Sequence, residues 1–204
     1  GRDTHGESSD SPPGSDFVQV ASGYNFACAL DSDGRINCWG GEFDADLVPS
    51  AIGFTQISVG DWGGCALDDD GRIECWGMDT YGVVSEAPVD AGYTDISYGY
   101  NAVCVLDEVG SPYCWGGASF PELLSDVPPT SGLTSITTGA HHACVQTMSE
   151  DLVCWGSDGY GVVSGVPTGP ISAVGDGLYA VCVINRVGEI ECWGRSDGGE
   201  LDHP

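Results

Sequence analysis

The sequence contains no lysine, and its five basic residues are all arginine, against 31 acidic residues. The formal net charge of −26 repels phosphate backbones and anionic lipid. Nucleic acids and acidic membranes are therefore poor partners, whereas cations and basic patches on other proteins would be attracted. An acidic surface is also a common solubility device of secreted and salt-adapted proteins, so charge alone does not select a partner.

The chain also lacks any run of about 18 apolar residues, so the sequence predicts no transmembrane segment. It has no Asn-X-Ser/Thr sequon and no visible signal peptide, and its polar start is typical of a processed N-terminus. Residues 1–16 are rich in Gly, Ser and Pro and carry no apolar residue. They predict a flexible tail, and a lipid or surface tether upstream of Gly1 is a hypothesis.

Glycine and cysteine are the two unusual excesses, with 32 and 10 residues. Dense glycine without a Gly-X-Y period suits many tight turns and favours an all-β repeat protein. An even and high cysteine count indicates an oxidising compartment. We therefore expect an extracellular, cell-surface or periplasmic location.

Five similar modules fill residues 17–204, which we predict to form one domain. They are spaced by 37, 39, 40 and 38 residues and begin at Phe17, Phe54, Tyr93, Leu133 and Ile171. Each has a glycine six residues after its start: Gly23, Gly60, Gly99, Gly139 and Gly177. Each later has Cys-Trp-Gly, with the tryptophans at Trp39, Trp76, Trp115, Trp155 and Trp193. A fixed period of this length indicates a propeller or a solenoid.

Each module has apolar runs for four short strands. In the second module the fourth is a short edge near Val83-Val84, ahead of Pro88, and prolines recur at this place up to Pro204. Strands with two apolar faces must be covered on both sides, which radial stacking of sheets achieves. The predicted fold is an all-β propeller of five four-stranded blades.

A turn joins the second and third strands of each module. Asp-Gly at Asp33-Gly34 and Asp70-Gly71 is a strong hairpin signal, and glycine also stands at Gly110 and Gly188. The fourth module has Ser149-Glu150 instead, so its turn is expected to differ.

The two cysteines of each module are ten residues apart, on strands that a hairpin places opposite each other. Zinc sites need cysteines two to four residues apart, so the spacing argues against metal, and free buried thiols are the remaining alternative. Five identical modules favour five identical local disulfides. The predicted pairs are Cys28–Cys38, Cys65–Cys75, Cys104–Cys114, Cys144–Cys154 and Cys182–Cys192.

The frame Gly60, Cys65-Ala66-Leu67, Asp70-Gly71 and Cys75-Trp76-Gly77 resembles the repeat of the regulator of chromosome condensation family. The likeness extends over residues 17–204 and implies a β-propeller, usually of seven blades. The cysteine-rich form with a polar tail is similar to secreted or surface bacterial members, among them an inhibitor of β-lactamases. The exchange-factor and chromatin activities of nuclear members do not carry over, because charge and compartment are wrong.

Three features depart from that family, one being the reduction of its later Gly-Gln-Leu-Gly motif to Tyr81-Gly82-Val83-Val84 and Tyr160-Gly161-Val162-Val163. A histidine three residues after the repeat glycine is frequent there, but only His142 matches. Five modules stand where seven are usual, which leaves a closed five-bladed ring, an open arc, or an arc completed by other copies.

The loops after the repeat glycines are the predicted binding face, because a ring gathers them at one end. Their aromatic, histidine and asparagine side chains are typical of protein contacts, and the resemblance supports this. The candidates are Tyr24, Asn25, Trp62, Tyr100, Asn101, His141 and Tyr179. The alternative is that these side chains pack between blades, as we expect for the five repeated tryptophans.

No cofactor is expected. Calcium bound at the acidic turns by Asp31, Asp33, Asp68, Asp69 and Asp70 is the alternative. His141-His142 is a poor metal pair, because neighbouring strand residues point oppositely. No catalytic motif is recognisable, so we expect a non-enzymatic protein-binding propeller, an inhibitor or an adhesion module. The alternatives are a subunit of an extracellular assembly, through self-association, and a carbohydrate-active enzyme that uses the plentiful carboxylates.

Overall fold

The computed structural model describes residues 6, 8–41, 45–117 and 121–196. Within them the chain forms five antiparallel sheets, each of three consecutive strands, which we number as blades 1 to 5. Blade 1 contains β1 (Phe17–Ser22), β2 (Phe26–Asp31) and β3 (Ile36–Gly40), and blade 2 contains β4 (Phe54–Val59), β5 (Gly63–Asp68) and β6 (Ile73–Gly77). Blade 3 contains β7 (Tyr93–Tyr98), β8 (Ala102–Asp107) and β9 (Pro112–Gly116), followed by helix α1 (Pro121–Ser125). Blade 4 contains β10 (Leu133–Thr138), β11 (His142–Thr147) and β12 (Leu152–Gly156). Blade 5 contains β13 (Ile171–Asp176), β14 (Ala180–Asn185) and β15 (Ile190–Gly194), and a short 3-10 helix, Ala45–Leu47, follows blade 1.

All five predicted disulfides are confirmed, one within each blade. In every blade the two cysteines lie directly opposite each other on the second and third strands, as Cys65 and Cys75 do on β5 and β6. Each bridge closes a short loop and stabilises its sheet by about 2–3 kcal/mol in the chain-entropy description. The bridges indicate an oxidising compartment.

The hairpin turns are alike in all five blades, so the prediction that the fourth would differ is wrong. Gly71 takes a left-handed φ of 73° and donates its amide to the Asp68 carbonyl. Glu150 takes φ 66° at the equivalent place and donates to Thr147, and it is the single non-glycine residue with positive φ in the described chain. Its carboxylate forms a paired hydrogen bond with Arg186 of blade 5, which helps to hold this disfavoured backbone.

The predicted fourth strand near Val83-Val84 is a turn, and each sheet has three strands among the described residues. The carboxylate of Asp79 accepts hydrogen bonds from the amides of Val84 and Ser85, which caps a helix-like turn instead of an edge strand. Val83 is buried at 1% exposure, and its carbonyl accepts the indole N–H of Trp115 at 2.9 Å. The buried Val83 side chain and the hydrogen bond from Trp115 therefore take the place of a fourth strand's hydrogen bonds.

The same device recurs in later blades. Trp155 donates to Leu123 in α1 at 3.0 Å, and Trp193 donates to Val162 at 2.8 Å. Asp158 caps the turn around Val162, because its carboxylate accepts the amides of Val163 and Ser164.

The core lies between blades. Ile57 on β4 is 1% exposed and shares a buried cluster with Phe26, Cys28 and Leu30 of blade 1. Trp76 completes this cluster, and the equivalent tryptophans of blades 3 and 4 are also buried. The prediction that the repeated tryptophans form inter-blade core is confirmed for these three.

Polar side chains of the first strands join neighbouring blades. Gln19 both donates to the carbonyl and accepts from the amide of Ile57, each at 2.8 Å. Ser58 accepts the amide of Tyr98, and Ser97 accepts the amide of Thr138, each at 2.9 Å. These bonds fix the register between blades as well as their spacing.

The two end blades are uncovered, which makes the described chain an open arc. Val20 in blade 1 is 68% exposed, whereas its equivalents in blades 2 to 4 are at most 7% exposed: Ile57, Ile96 and Ile136. Ile184 in blade 5 is 41% exposed, whereas its equivalents in blades 1 to 3 are at most 2% exposed: Leu30, Leu67 and Leu106. Among the described residues, no blade covers either end.

The described residues include no helix that is long and apolar enough to cross a membrane. The proposed tail at residues 1–16 stays a prediction, and residues 1–5 and 7 fall outside the described part, as does Pro204.

Candidate binding face and central cavity

The loops after the repeat glycines lie together at one end of the arc. The glycines are needed there because the backbones of adjacent blades nearly touch. A Cβ atom on Gly60 would lie 2.3 Å from the carbonyl oxygen of Gly99, and one on Gly99 would lie 2.0 Å from that of Gly139. Each loop is tight, since the amide of Gly60 donates to the carbonyl of Gly63 at 2.9 Å.

At this end of the arc, Tyr24 and Trp62 form one aromatic cluster, and His141 and Tyr179 form another. We call the surface that carries both clusters the loop face. Tyr24 of blade 1 and Trp62 of blade 2 have ring centroids 6.4 Å apart, and Tyr24 is 64% exposed. His141 of blade 4 lies edge-on to Tyr179 of blade 5 at 5.4 Å. Burial, and then the neighbouring His142, lower the pKa of His141, so the exposed edge of this ring is favoured in its neutral form.

The remaining three candidates are buried or half-buried, and among the clustered ones Trp62, His141 and Tyr179 are half-buried too. Asn101 is 2% exposed, so it lies in the interior and presents little surface to a partner. Asn25 and Tyr100 are half-buried. The amide of Tyr100 donates to the carbonyl of Gly139 at 3.4 Å, which fastens its loop to the next blade.

Sequence reasoning missed two members of the loop face. Tyr160 lies 5.3 Å from Tyr179, centroid to centroid, and the guanidinium of Arg195 lies over both rings at 5.6 and 5.5 Å. Both residues come from segments outside the loops after the repeat glycines. Arg195 directly follows Cys-Trp-Gly of blade 5, and its amide bonds to the carbonyl of Tyr179. The position of Arg195 directly after Cys-Trp-Gly was the sequence signal that could have placed it near the loops.

A cavity of about 370 Å³ opens at the centre of the arc and is lined by the inner ends of all five blades. Its polar wall includes Ser22, Asp61, Tyr98, Thr138 and Asp176. Burial raises the pKa of Asp61. Burial also raises the pKa of Tyr98, with a further contribution from the charge of Asp61, so its hydroxyl stays protonated.

Asp176 and His142 form a buried pair between blades 4 and 5. The Nε2 atom of His142 lies 2.9 Å from Oδ1 of Asp176, and the two side chains are 2% and 3% exposed. Thr137 donates to the other carboxylate oxygen at 3.4 Å. Burial raises the pKa of Asp176 and outweighs the opposing effect of the His142 hydrogen bond.

Among the described residues, two groups of potential metal ligands lie close enough together to hold an ion. His142, Asp176 and Cys144 are close together, but Cys144 is in a disulfide and offers no thiolate, so this group does not fit a thiolate-binding metal. Asp68, Asp69 and Asp70 cluster at an exposed turn, where Arg72 pairs with the carboxylates of Asp68 and Asp70. His141 precedes β11 and lies against Tyr179, whereas His142, the first residue of β11, is bonded to Asp176.

Comparison with known proteins supports the repeat and the fold. Residues 17–44 and 54–83 match the family model described as Regulator of chromosome condensation (RCC1) repeat. The chain therefore carries RCC1 repeats, and the resemblance seen in the sequence is confirmed at that level. A search of curated protein sequences finds no match.

Several solved structures share the fold. The ectodomain of the Physcomitrella patens receptor kinase CR4 is 27% identical with a TM-score of 0.75, over 92% of this chain and 56% of that one. The CRINKLY WD40 ectodomain of the Arabidopsis thaliana receptor kinase ACR4 is 24% identical with a TM-score of 0.71, over 88% and 66%. Prp20p from Saccharomyces cerevisiae, a structure reported with its binding to Gsp1p and histones, is 18% identical with a TM-score of 0.71, over 92% and 59%. The chain thus spans less than two thirds of the length of each. The five disulfides point to an extracellular location, and the 27% identical CR4 structure is itself an ectodomain.

Proposed function

We propose that this protein is a non-enzymatic binding module, secreted or held at the cell surface, which recognises another protein through its loop face. Inhibition of an enzyme and adhesion are the two forms that such recognition would take. We also propose that the protein is of the secreted bacterial type of this repeat family, the type that includes an enzyme inhibitor.

One observation carries this proposal: aromatic side chains from separate blades, exposed or half-buried, form clusters at the loop end of the arc, and Tyr24 also lines the central cavity. Tyr24 and Trp62 form one cluster, and His141, Tyr160 and Tyr179 form the other. Rigid aromatic rings offer a large contact area at a low entropic cost, which is why they dominate protein interfaces. Prp20p, which has the same fold, is reported to bind proteins, and this supports a binding function for the propeller.

The test begins with a partner captured from extracellular proteins of the source organism and then purified. Tyr24→Ala and Trp62→Ala should each weaken its binding by about tenfold or more, since central aromatic residues commonly contribute that much. Biolayer interferometry with the purified pair measures the change in Kd.

Tyr113→Ala is the matched control. Tyr113 is 48% exposed but lies on β9, the outer strand of blade 3, away from the loop face. Its removal should change Kd less than twofold. Equal losses for the three variants, or a loss for Tyr113→Ala alone, would place the interface elsewhere.

A second candidate function is self-association into an extracellular assembly. The exposed sheets of blades 1 and 5 are the two halves of the contact that joins every internal pair of blades, with Val20 on one half and Ile184 on the other. Docking of one copy's blade 5 on the next copy's blade 1 would bury both. Sedimentation velocity decides, because a monodisperse species near 21.1 kDa at high concentration contradicts this candidate.

A further inference from the structure

We propose that the central cavity receives one cationic side chain, a lysine ammonium or an arginine guanidinium, carried by the protein partner. This inference rests on the proposed function, because the cavity opens among the loops that form the loop face. It adds the chemistry of the partner: a basic residue at the centre of the interface.

The size and position of the cavity suit a single inserted side chain. At about 370 Å³ it falls at the small end of ligand pockets and is larger than a bare metal ion requires. Tyr24 stands at its edge, with Trp62 beside that ring, and Tyr98 lies in its wall. Aromatic rings next to carboxylates are the setting in which organic cations bind best.

An unpaired carboxylate lies in the wall. Asp61 is half-buried, yet the described residues give it no hydrogen bond and no ion pair. A carboxylate partly removed from water without a partner is costly, which the raised pKa of Asp61 reflects. A cation in the cavity would remove that cost. Asp176 also lines the cavity, but its side chain is 3% exposed and is bonded to His142 and Thr137, so Asp61 is the carboxylate available to a guest.

The rest of the wall favours a positive guest as well. The described residues that line the cavity include no arginine, lysine or histidine. Thr138 is 6% exposed, and its hydroxyl oxygen has no hydrogen-bond partner among the described residues. This oxygen is itself buried, so it can accept from a guest N–H only when the Thr138 side chain rotates towards the cavity. The net charge of −26 draws basic surfaces towards the mouth.

The probes are butylammonium and butylguanidinium, which carry the head groups of lysine and arginine on a short alkyl stem, and the uncharged analogue is 1-pentanol. Titration of ¹⁵N-labelled protein followed by NMR should give saturable shifts at the amides of Gly60, Gly99 and Gly139. Pentanol should bind at least fivefold more weakly than the better cation. Equal binding of pentanol, or a stronger response to calcium ions than to both organic cations, would overturn the proposal.

Two variants and one control locate the effect. Asp61→Asn should weaken the better cation at least fivefold, and Thr138→Val should weaken it at least twofold, with dispersed spectra showing that each variant is folded. Asp90→Asn removes the same charge from an exposed loop away from the cavity and should change affinity less than twofold. Equal effects of Asp61→Asn and Asp90→Asn would show general charge attraction only and would refute the cavity as the site.

The partner assay separates this inference from the proposed function. If Tyr24→Ala and Trp62→Ala abolish partner binding while Asp61→Asn leaves it unchanged, the loop face binds a partner but the cavity receives no basic residue. If the cations bind as described and neither aromatic variant affects the partner, the cavity is a cation site and the proposed interface is wrong.

Discussion

At the scale of single residues, the structure combines ordinary repeat positions with a few that change from blade to blade. The sixth position of each first strand lines the cavity and is occupied by Ser22, Val59, Tyr98, Thr138 and Asp176. No periodic pattern predicts what these residues form, because each has a different chemistry. Their convergence depends on the curvature of the arc, which the sequence does not show. The cavity could therefore not be predicted from the sequence, although the sequence does place Asp61 and Trp62 next to each other in one loop.

The buried Asp176 yields a pH-dependent prediction. Its pKa is raised in the folded protein, so protonation favours folding: this contribution is full below the ordinary aspartate pKa of about 4 and is lost as pH rises through the folded-state value. Asp176→Asn mimics the protonated form in shape and charge. Relative to the wild type, its free energy of unfolding should therefore improve as pH is raised from about 4 to about 7.

Urea denaturation across that pH range measures the difference. Asp90→Asn is the control, since it also removes one negative charge but from an exposed position. A wild-type advantage over Asp176→Asn that grows with pH would contradict the prediction and show that the ionised His142–Asp176 pair is the stabilising form.

At the scale of secondary-structure elements, the hairpin turn of one blade docks on the first strand of the next. The amide of Tyr93 donates to the carbonyl of Gly71 at 3.1 Å, and blades 1 and 3 repeat this contact with the strands that follow them. The repeated glycines, cysteines and tryptophans predicted the blade boundaries and the disulfides, because the same local constraint recurs five times. The Val83-Val84 pair was misassigned since β-branched residues favour strands, whereas the Asp79 cap controls the backbone there.

This docking predicts different costs for the same substitution in two turns. A Cβ atom on Gly71 would lie 2.4 Å from the carbonyl oxygen of Tyr93, whereas one on Gly188 of blade 5 would meet no atom within 4 Å. Both glycines have positive φ, so Gly188→Ala should cost about 1–2 kcal/mol through backbone strain alone. Gly71→Ala should cost about 1–3 kcal/mol more, through the clash with the next blade.

Chemical denaturation of the two variants gives the comparison directly, with Gly188→Ala as the internal control. Equal losses of stability would mean that the packing of the blade 2 turn against Tyr93 of blade 3 does not contribute to the cost.

At the scale of the whole molecule, the five blades form an arc with the loop face at one end. Blade packing and the disulfides stabilise the sheets. The loops after the repeat glycines lie close to those of the neighbouring blades and carry the side chains that differ from blade to blade. The count of five modules could not decide between a ring and an arc from the sequence. Within the part of the chain that the structure describes, the exposure of Val20 and Ile184 shows an open arc, because these residues are the two halves of an internal contact left uncovered.

Hydrogen exchange of the protein with and without its purified partner tests most directly whether the loop face is the binding surface. We predict slower exchange in residues 23–25, 60–62, 99–101, 139–141 and 177–179, and no change in the hairpin turns at the opposite end. Protection confined to those turns, or to the exposed sheets of blades 1 and 5, would contradict it.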